Sequence, residues 1–210
     1  MSDTFEKMDR MYRYQRYFYD LTRKYYLLGR DRLLAQMEIQ PGEKILEIGY
    51  GTGRNIRILA DRHRMACFYG IDASATMLES ARKKLHKSGR SNINLERALA
   101  DDFDFGIEFD KIFFSYSISM IPTWRESIDH ALRNLKEGGT LYIVDFYDQA
   151  NLPKSFRRFL KWWLEQFHVC HAQGLIPYLE MLETAGSGGL TVTPLFRRYS
   201  FIAVFRKPAS

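Results

Sequence analysis

Five short apolar runs alternate with helix-like stretches between residues 43 and 146, and this alternation constrains the fold more than any other feature of the chain. Turn-forming residues bound each run, as is typical of strands buried on both faces. A β-α-β-α series of this kind predicts an α/β fold with a parallel sheet covered by helices. The predicted strands are 44–48, 66–71, 93–97, 111–115 and 140–146, and the predicted helices are 53–62, 75–87 and 123–136.

The end of the chain has a different pattern. Residues 190–196 and 199–205 are both strand-like, and only Arg197 and Arg198 separate them. Two such runs predict an antiparallel hairpin at the edge of the sheet. We therefore expect a Rossmann-like sheet of seven strands, mostly parallel, in a single domain, which suits 210 residues of which 46% are hydrophobic.

The first 30 residues predict a helical N-terminal lid with two faces. An apolar stripe recurs at steps of three and four: Tyr14, Phe18, Leu21, Tyr25 and Leu28. The opposite face alternates tyrosine with arginine at the same steps: Tyr12, Arg16, Tyr19, Arg23, Tyr26 and Arg30. This second face either contacts a ligand or membrane, or is an ordinary exposed face on which arginines stack on tyrosines.

The basic excess is confined to two segments. The net charge is +6, whereas residues 10–32 alone carry +5 and residues 153–171 carry +3. Residues 154–168 place aromatic side chains on one helical side and basic ones toward the other, which suits an anionic membrane surface. A cap helix with its aromatic residues in the core is the alternative. No recognised nucleic-acid-binding module accompanies the charge, so we expect no nucleic-acid partner.

No targeting or metal signal is evident. An uninterrupted apolar run of about 18 residues is missing, and the polar start lacks the centre of a signal peptide. The protein is therefore expected in the cytoplasm, peripherally on the inner face of the membrane. Cys67 and Cys170 lie far apart without a CxxC pair, which argues against a zinc site and a disulfide framework.

The segment KILEIGYGTGRN, residues 44–55, joins a strand to a helix through three glycines on alternate positions. Missing Cβ atoms allow a sharp turn and let a ligand lie against bare backbone. Amides at the start of the next helix then face a polar or negative group. The dinucleotide fingerprint G-x-G-x-x-G would need glycine at residue 54, which is Arg54, so a nicotinamide dehydrogenase is disfavoured.

Asp72 ends the next predicted strand, 23 residues after Gly49. A carboxylate at this position accepts the two hydroxyls of an adenosine ribose in related folds. An isolated aspartate would more commonly cap the helix that starts at Ala75. The glycine loop upstream favours the ribose interpretation.

The segments LEIGYGTG, YGIDAS, ALADDF, FDKIFFSYS and LKEGGTLYIVDF follow one another in order up to residue 146. Together they resemble the class I methyltransferases that use S-adenosylmethionine (SAM). The resemblance implies a helical lid over residues 1–40, a SAM-binding core over residues 41–150, and cap helices and the hairpin over residues 151–210. SAM is the implied cofactor.

The resemblance also implies site residues. Motif residues Glu47, Gly49, Tyr50, Gly51 and Gly53 would lie against the methionine part and the ribose, and Asp72 would hold the ribose. The adenine would be flanked by Ala73 and Met77, with Leu99, Ala100 and Asp101 beside its amine; Met77 could equally be helix core. Ser115 and Tyr116 would lie near the reactive methyl group, although Ser115 could be a buried hydroxyl without a catalytic role.

The N-terminal segment YRYQRYFYDLTRKYYLLGRDRL is similar to the start of the BtaB-type N-methyltransferases of betaine-lipid synthesis. That resemblance implies trimethylation of the homoserine amine of diacylglyceryl homoserine, and so a lipid headgroup and an anionic membrane surface as partners. A methyltransferase acting on another phospholipid amine or on a soluble small molecule is the alternative. A SAM-fold RNA-binding or scaffold protein without turnover is a further one.

An amine acceptor needs a proton acceptor and a site that tolerates positive charge. An amine with a pKa near 10 is mostly protonated at neutral pH, so the neutral form must be bound or created. The candidate proton acceptors are Asp145, His130, His171 and water. Aromatic rings stabilise a methylated ammonium, and the tyrosines expected near the site are Tyr12, Tyr14, Tyr19, Tyr25, Tyr26, Tyr116 and Tyr147, with Tyr19 and Tyr26 favoured.

Overall fold

A computed structural model describes residues 27–86, 91–153, 158 and 174–209. The elements, in chain order, are α1 (Arg30–Gln36), β1 (Lys44–Ile48), α2 (Arg54–Arg62), β2 (Cys67–Asp72), α3 (Ala75–His86), β3 (Ile93–Arg97), β4 (Phe109–Ser115), a 3-10 turn (Ile118–Met120), α4 (Trp124–Arg133), β5 (Leu135–Phe146), α5 (Leu175–Thr184), β6 (Gly189–Leu195) and β7 (Ser200–Arg206). The strands form one sheet in the order β3-β2-β1-β4-β5-β7-β6.

The five strands from β1 to β5 run parallel, whereas β7 runs antiparallel to both β5 and β6. The hairpin therefore joins the sheet through its second strand, and β6 forms the edge. The predicted Rossmann-like sheet of seven strands, mostly parallel and ending in an antiparallel hairpin, is confirmed. Below, the carboxyl edge is the edge of the sheet at which β1 to β5 end, and the amino edge is the opposite one.

Two hydrophobic layers cover the sheet. Helices α1, α2 and α3 pack on one face, where they bury residues such as Leu33, Leu59 and Ala81. Helices α4 and α5 pack on the other face through Ile128 and Leu179 among others. Each of these five side chains is fully buried, which explains why the central strands are almost continuously apolar.

The structure extends β5 toward the N-terminus relative to the sequence prediction. The strand begins at Leu135 rather than at residue 140, and α4 ends at Arg133. The register with β4 shifts between Phe109 and Lys111, and Gly138 has φ +73°. The two glycines before Thr140 hid this irregular extension because they look like a turn in the sequence.

The helix expected over the first 30 residues does not continue through Arg30. Residues 27–29 are not helical, and Gly29, with φ +96°, precedes the first residue of α1. A left-handed residue ends a right-handed helix. The remainder of the predicted lid, residues 1–26, lies outside the described residues.

The turn between β6 and β7 is longer than the sequence predicts. Residues 196–199, rather than Arg197 and Arg198 alone, lie between the strands. The amide of Tyr199 donates to the carbonyls of Leu195 (3.0 Å) and Phe196 (3.1 Å). Phe196 takes a left-handed conformation, which removes it from the strand.

Candidate active site

The candidate site lies at the carboxyl edge, where β1 has β2 on one side and β4 on the other. The chain changes direction across the sheet at this point, so the loops that follow β1 and β4 diverge and leave a crevice. The predicted glycine loop follows β1, Asp72 ends β2, and Ser115 ends β4. The topology therefore brings the three predicted motifs to one place.

The three glycines of the loop all have positive φ, but two of them also have a packing role. A Cβ added to Gly49 would lie 2.4 Å from the Cβ of Ser117, which follows β4. A Cβ added to Gly53 would lie 3.3 Å from the Cβ of Ala81 on α3. Glycine at residue 49 is thus required by close approach of the neighbouring loop, as well as by its φ of +77°.

Asp72 connects the glycine loop to the start of α3. Its Oδ2 accepts the amide of Gly51 at 2.8 Å, and its Oδ1 accepts the amide of Ser74 at 2.9 Å. The helix cap is provided by Ser74, whose Oγ accepts the amide of Met77 at 3.3 Å. The capping role considered for Asp72 thus belongs to Ser74. A carboxylate oxygen has two lone pairs, so the acceptance of a backbone amide does not by itself exclude a hydroxyl donor.

Glu47 is a carboxyl group with one oxygen unsatisfied by the described part of the chain. The side chain is 1% exposed, and its Oε1 accepts the side-chain amide of Asn55 at 2.7 Å. Its Oε2 has no partner among the described residues. Burial raises the pKa of Glu47 to about 8, opposed by the Asn55 hydrogen bond and by the positive charge of the buried Arg30.

Further buried hydroxyls without a hydrogen-bond partner among the described residues include those of Tyr50 and Ser115. The Tyr50 ring faces the core, since a Cβ on Gly70 would lie 2.7 Å from its Cδ1. The Tyr50 amide donates to the carbonyl of Ile71 at 3.3 Å, and its carbonyl accepts the amide of Gly53 at 3.0 Å, so the backbone of Tyr50 shapes the loop. Native proteins satisfy nearly all buried polar atoms, so unsatisfied oxygens on Glu47 and Ser115 at the carboxyl edge fit a site that takes a polar, cationic molecule such as SAM.

The segment that precedes α1 is fixed to the site by what we call the α1 joint, formed by Leu28, Gly29, Tyr116, Leu195 and Ser200. The carbonyl of Leu28 accepts the hydroxyls of Tyr116 and of Ser200, the latter at 3.0 Å. A Cβ on Gly29 would lie 2.7 Å from Leu195 Cδ1. The Tyr116 hydroxyl, predicted to act near the methyl group, is thus engaged with the backbone.

Helix α1 is also connected to the start of α2. Arg54, the residue that breaks the dinucleotide pattern, donates through Nη1 and Nη2 to the two carboxylate oxygens of Asp31, at 2.8 and 3.3 Å. This pairing lowers the pKa of Asp31. The pair is largely exposed, so its contribution is orientation more than stability.

Asp145 lies one residue before the end of β5 and is 1% exposed. Its Oδ1 accepts the amide of Phe146 at 2.8 Å, and its Oδ2 accepts the amide of Ser119 at 3.1 Å. Burial raises its pKa to about 6, opposed by these hydrogen bonds. The carboxylate holds the 3-10 turn that follows Ser117, which gives Asp145 a positioning role beside the site.

The residues predicted around the adenine lie at the ends of β2 and β3. The amide of Ala98 donates to the carbonyl of Asp72 at 3.3 Å, which places the loop 99–102 beside β2. Leu99 and Asp102 close this loop with a backbone hydrogen bond of 3.3 Å. Of the predicted adenine neighbours, Ala73 directly follows β2, and Met77 is buried in the first turn of α3. The others belong to the loop itself: Leu99, Ala100 and Asp101.

Other candidates have structural roles or lie elsewhere. His130 Nε2 lies 2.7 Å from the carbonyl of Phe103, and Nδ1 lies 3.1 Å from Arg133; both ring nitrogens are occupied, so its role as proton acceptor is not supported. The guanidinium of Arg198 lies 4.2 Å from the centroid of the Tyr147 ring, so that face cannot receive a methylated ammonium. Outside the described residues lie Tyr12, Tyr14, Tyr19, Tyr25, Tyr26 and His171.

A separate depression of about 600 Å³ lies at the amino edge. Its charged side chains are mostly paired with one another, as in the contacts of Lys111 with Glu43 (2.5 Å) and of Lys136 with Asp110 (2.6 Å). Ligands of open α/β sheets bind outside the carboxyl ends of the strands. This depression is therefore not the candidate site.

Three residues of the site were missed by the sequence prediction. Asn55 pairs with Glu47 from within the same motif, and its spacing of eight residues is a signal that could have been used. The hydroxyl of Ser117 donates to the carbonyl of Ile48 at 2.7 Å, and this places the Ser117 side chain directly against Gly49. Arg30 had been assigned only to a helical face, whereas Gly29 redirects it into a buried position beside Glu47.

Comparisons with known proteins agree with this geometry. A family model described as a methyltransferase domain matches residues 45–139. Over 168 residues the chain is 29% identical to a phosphatidylethanolamine N-methyltransferase of Cereibacter sphaeroides, covering 75% of this chain and 81% of the relative. It is 30% identical over 125 residues to phosphoethanolamine N-methyltransferase 2 of Caenorhabditis elegans, covering 57% of this chain but only 28% of that relative.

A solved structure shows the same fold. Phosphoethanolamine N-methyltransferase 2 of Haemonchus contortus, in complex with SAM, superposes with a TM-score of 0.69 at 17% identity, over 87% of this chain and 52% of that one. The glycine loop, Asp72 at the end of the next strand and the strand order agree with the family match. Residues 45–139 therefore form a methyltransferase domain, and the relatives together with the fold support a SAM-dependent methyltransferase with SAM as its cofactor.

Proposed function

We propose that this methyltransferase acts on the amino group of a membrane lipid headgroup. The observation that carries the proposal is the similarity to a phosphatidylethanolamine N-methyltransferase over 75% of this chain and 81% of the relative. The N-terminal resemblance to the betaine-lipid enzymes favours the homoserine amine of diacylglyceryl homoserine as the acceptor. Phosphatidylethanolamine, the substrate named for the relative, is the second lipid acceptor.

The site suits a reaction in which positive charge passes from the sulfonium of the cofactor to the nitrogen of the product. When bound, SAM supplies a methyl group on a sulfonium, and an amine nitrogen with a free lone pair can accept it. Glu47 offers a buried carboxyl oxygen with no partner among the described residues, and a cationic group bound beside it would favour the ionised form of this carboxyl group. Asp72 would hold the ribose, and Ser115 offers a second free oxygen at the end of β4.

Water is the favoured proton acceptor for the amine. Asp145 and Tyr116 are both at most 2% exposed, and each is engaged with backbone groups. His130 has both ring nitrogens occupied. Positioning of a neutral amine against the methyl group can supply much of the rate without a dedicated base. Tyr19 and Tyr26 stay predictions as residues that line the acceptor side.

The membrane would be approached from the surface. None of the helices that the structure describes is long and apolar enough to cross a bilayer. The basic and aromatic segment 154–168, proposed to contact anionic lipid, lies almost entirely outside the described residues. Peripheral binding on the inner face of the membrane is therefore part of the proposal.

The experiment is incubation of the purified protein with methyl-labelled SAM and one acceptor at a time. The acceptors are diacylglyceryl homoserine and phosphatidylethanolamine in detergent micelles, and phosphoethanolamine and homoserine in solution. We expect label in the lipid fraction, with mass spectrometry counting the methyl groups. The Asp72→Asn variant is the matched control, because it retains the side-chain shape and loses the negative charge.

A soluble acceptor is the second candidate, since the chain also matches a phosphoethanolamine N-methyltransferase at 30% identity. Label confined to the soluble amines would overturn the lipid proposal in favour of this one. SAM binding without label in any acceptor would instead favour a protein of this fold that has lost turnover.

A further inference from the structure

The turn between β6 and β7 lies at the carboxyl edge, on the same edge as the site. β7 begins at Ser200 opposite Phe146, the last residue of β5, and β6 ends at Leu195 opposite the same serine. The amide of Tyr147 donates to the carbonyl of Tyr199 at 2.9 Å. Residues 196–198 therefore project beyond the sheet at the same edge as the candidate site.

This turn is held in a conformation that its residues disfavour. Phe196, Arg197 and Arg198 have φ values of +48°, +57° and +63°. Side chains on three successive left-handed residues are costly, and glycine would remove that cost. Glycine is nevertheless used at none of the three positions, so the chain keeps these side chains in spite of the backbone cost.

Bracing contacts give the turn a defined orientation. Arg198 donates to both carboxylate oxygens of Asp148, through Nε at 2.8 Å and through Nη2, and its guanidinium stacks on Tyr147. The amide of Gln149 donates to the carbonyl of Arg198 at 2.8 Å. Asp148 is thus neutralised by Arg198, and it does not offset the charge of Arg197.

The two residues at the start of the turn are exposed and unpartnered. The Phe196 side chain is 51% exposed, although burial of a phenylalanine is normally favourable. Arg197 is exposed and has no ion pair or hydrogen bond within the described ranges. An apolar ring next to an uncompensated cation is the combination that inserts into the headgroup layer of an anionic bilayer.

We propose that the β6–β7 turn is a membrane-docking element, in which Phe196 enters the headgroup layer and Arg197 pairs with anionic lipid. This inference rests on the proposed lipid substrate and adds the place where the protein meets the membrane. Docking here would bring the carboxyl edge, and so Asp72 and Ser115, toward the surface that carries the acceptor. A protein partner would need a larger apolar area than one phenylalanine.

The test measures sedimentation with vesicles of phosphatidylcholine and phosphatidylglycerol, neither of which offers a primary amine for methylation. The wild-type protein is compared with a Phe196→Ser, Arg197→Ser double variant. The matched control is Arg64→Ser, Met65→Ser, which removes an exposed arginine and an exposed apolar side chain at the amino edge, directly before β2. The turn variant should lose about tenfold or more in vesicle partitioning, and the control should lose little.

A second variant guards against misfolding. Phe196→Gly, Arg197→Gly removes the same side chains and relieves the left-handed strain, so it should fold at least as well as the wild type. SAM affinity should be unchanged in both turn variants, since neither residue belongs to the cofactor loop. Equal vesicle binding by wild type and turn variants, equal losses in turn and control variants, or absence of wild-type binding would each overturn the docking proposal.

The docking and substrate proposals can fail separately. Vesicle binding uses lipids without an acceptor amine, whereas labelling in detergent micelles requires no docking to a bilayer. If the protein binds vesicles but no lipid is labelled, the docking proposal stands and the proposed lipid substrate is rejected. If lipid in micelles is labelled but the protein does not bind vesicles, the lipid substrate stands and the docking proposal is rejected.

Discussion

The Asp72 carboxylate already accepts two backbone amides before any ligand is considered. The Asp72→Asn substitution retains one acceptor oxygen and removes the charge, so we expect SAM affinity to fall by about ten- to a hundredfold, the range for one or two lost charge-assisted hydrogen bonds. Calorimetric titration measures this. Asp104→Asn is the control, because Asp104 also accepts a backbone amide, from Gly106 at 2.7 Å, but is exposed elsewhere. An unchanged dissociation constant for Asp72→Asn would remove the ribose assignment.

Gly49 offers a second test at the scale of single atoms. Gly49→Ala places a Cβ 2.4 Å from the Cβ of Ser117, whereas Gly42→Ala meets nothing within 4 Å; both glycines have similar positive φ values, +77° and +83°. Backbone strain of about 1 kcal/mol is common to both variants, and overpacking adds about 1–3 kcal/mol at Gly49 only. Urea unfolding compares them. Equal losses would show that the glycine loop moves away from Ser117 at little cost.

At the scale of elements, the α1 joint connects the first described residues to β4 and β7. Removing one donor, by Tyr116→Phe or Ser200→Ala, leaves the other hydroxyl on the Leu28 carbonyl and should cost about 0.5–1.5 kcal/mol. Removing both donors leaves a partly buried carbonyl unsatisfied, so the double variant should lose more stability than the sum of the single variants. Denaturant unfolding of the four proteins in a double-mutant cycle gives the coupling. Strict additivity would mean that the two hydroxyls do not share the carbonyl in solution.

The catalytic readout of the same variants separates positioning from chemistry. Tyr116→Phe keeps the ring, which packs edge-on against Phe146 with centroids 4.8 Å apart. If Tyr116 acts only through the α1 joint, Ser200→Ala should produce the same modest change in the KM for SAM, with kcat little affected. A large loss of kcat in Tyr116→Phe alone would instead restore the predicted role of its hydroxyl near the methyl group.

At the scale of the whole molecule, Glu47 makes stability depend on pH. Its folded-state pKa is raised to about 8, above its usual value near 4.5, so the folded protein binds more protons than the unfolded chain between these limits. Stability should therefore fall as pH rises through this window, by at most about 1.4 kcal/mol per pH unit. Between pH 6.5 and 8 the contribution of Asp145, whose pKa is about 6, is largely complete.

The measurement is the free energy of unfolding of the protein without SAM across that range. Glu47→Gln should flatten the decline, because the amide does not titrate. A parallel decline in wild type and Glu47→Gln would assign the pH dependence to other groups.

The fold was largely predictable because its strands are short apolar runs whose burial on both faces is visible in composition. The ends of β1 and β3 were predicted to the residue, whereas the start of β5 was missed because Gly138 and Gly139 mimic a turn. Asp72 and the glycine loop were predictable since turn chemistry is local. Arg30, Ser117 and Ser200 were not, because their contacts depend on where distant segments meet.

The α1 joint closes over almost the whole chain, since Leu28 and Ser200 are 172 residues apart. A nascent chain emerging from the ribosome carries the glycine loop and Asp72 long before Ser200 is synthesised. The hydrogen bond from Ser200 to the Leu28 carbonyl must therefore form late in folding, after β7 has entered the sheet between β5 and β6. Newly made protein would thus complete the α1 joint only after Ser200 has been synthesised and β7 has paired with β5.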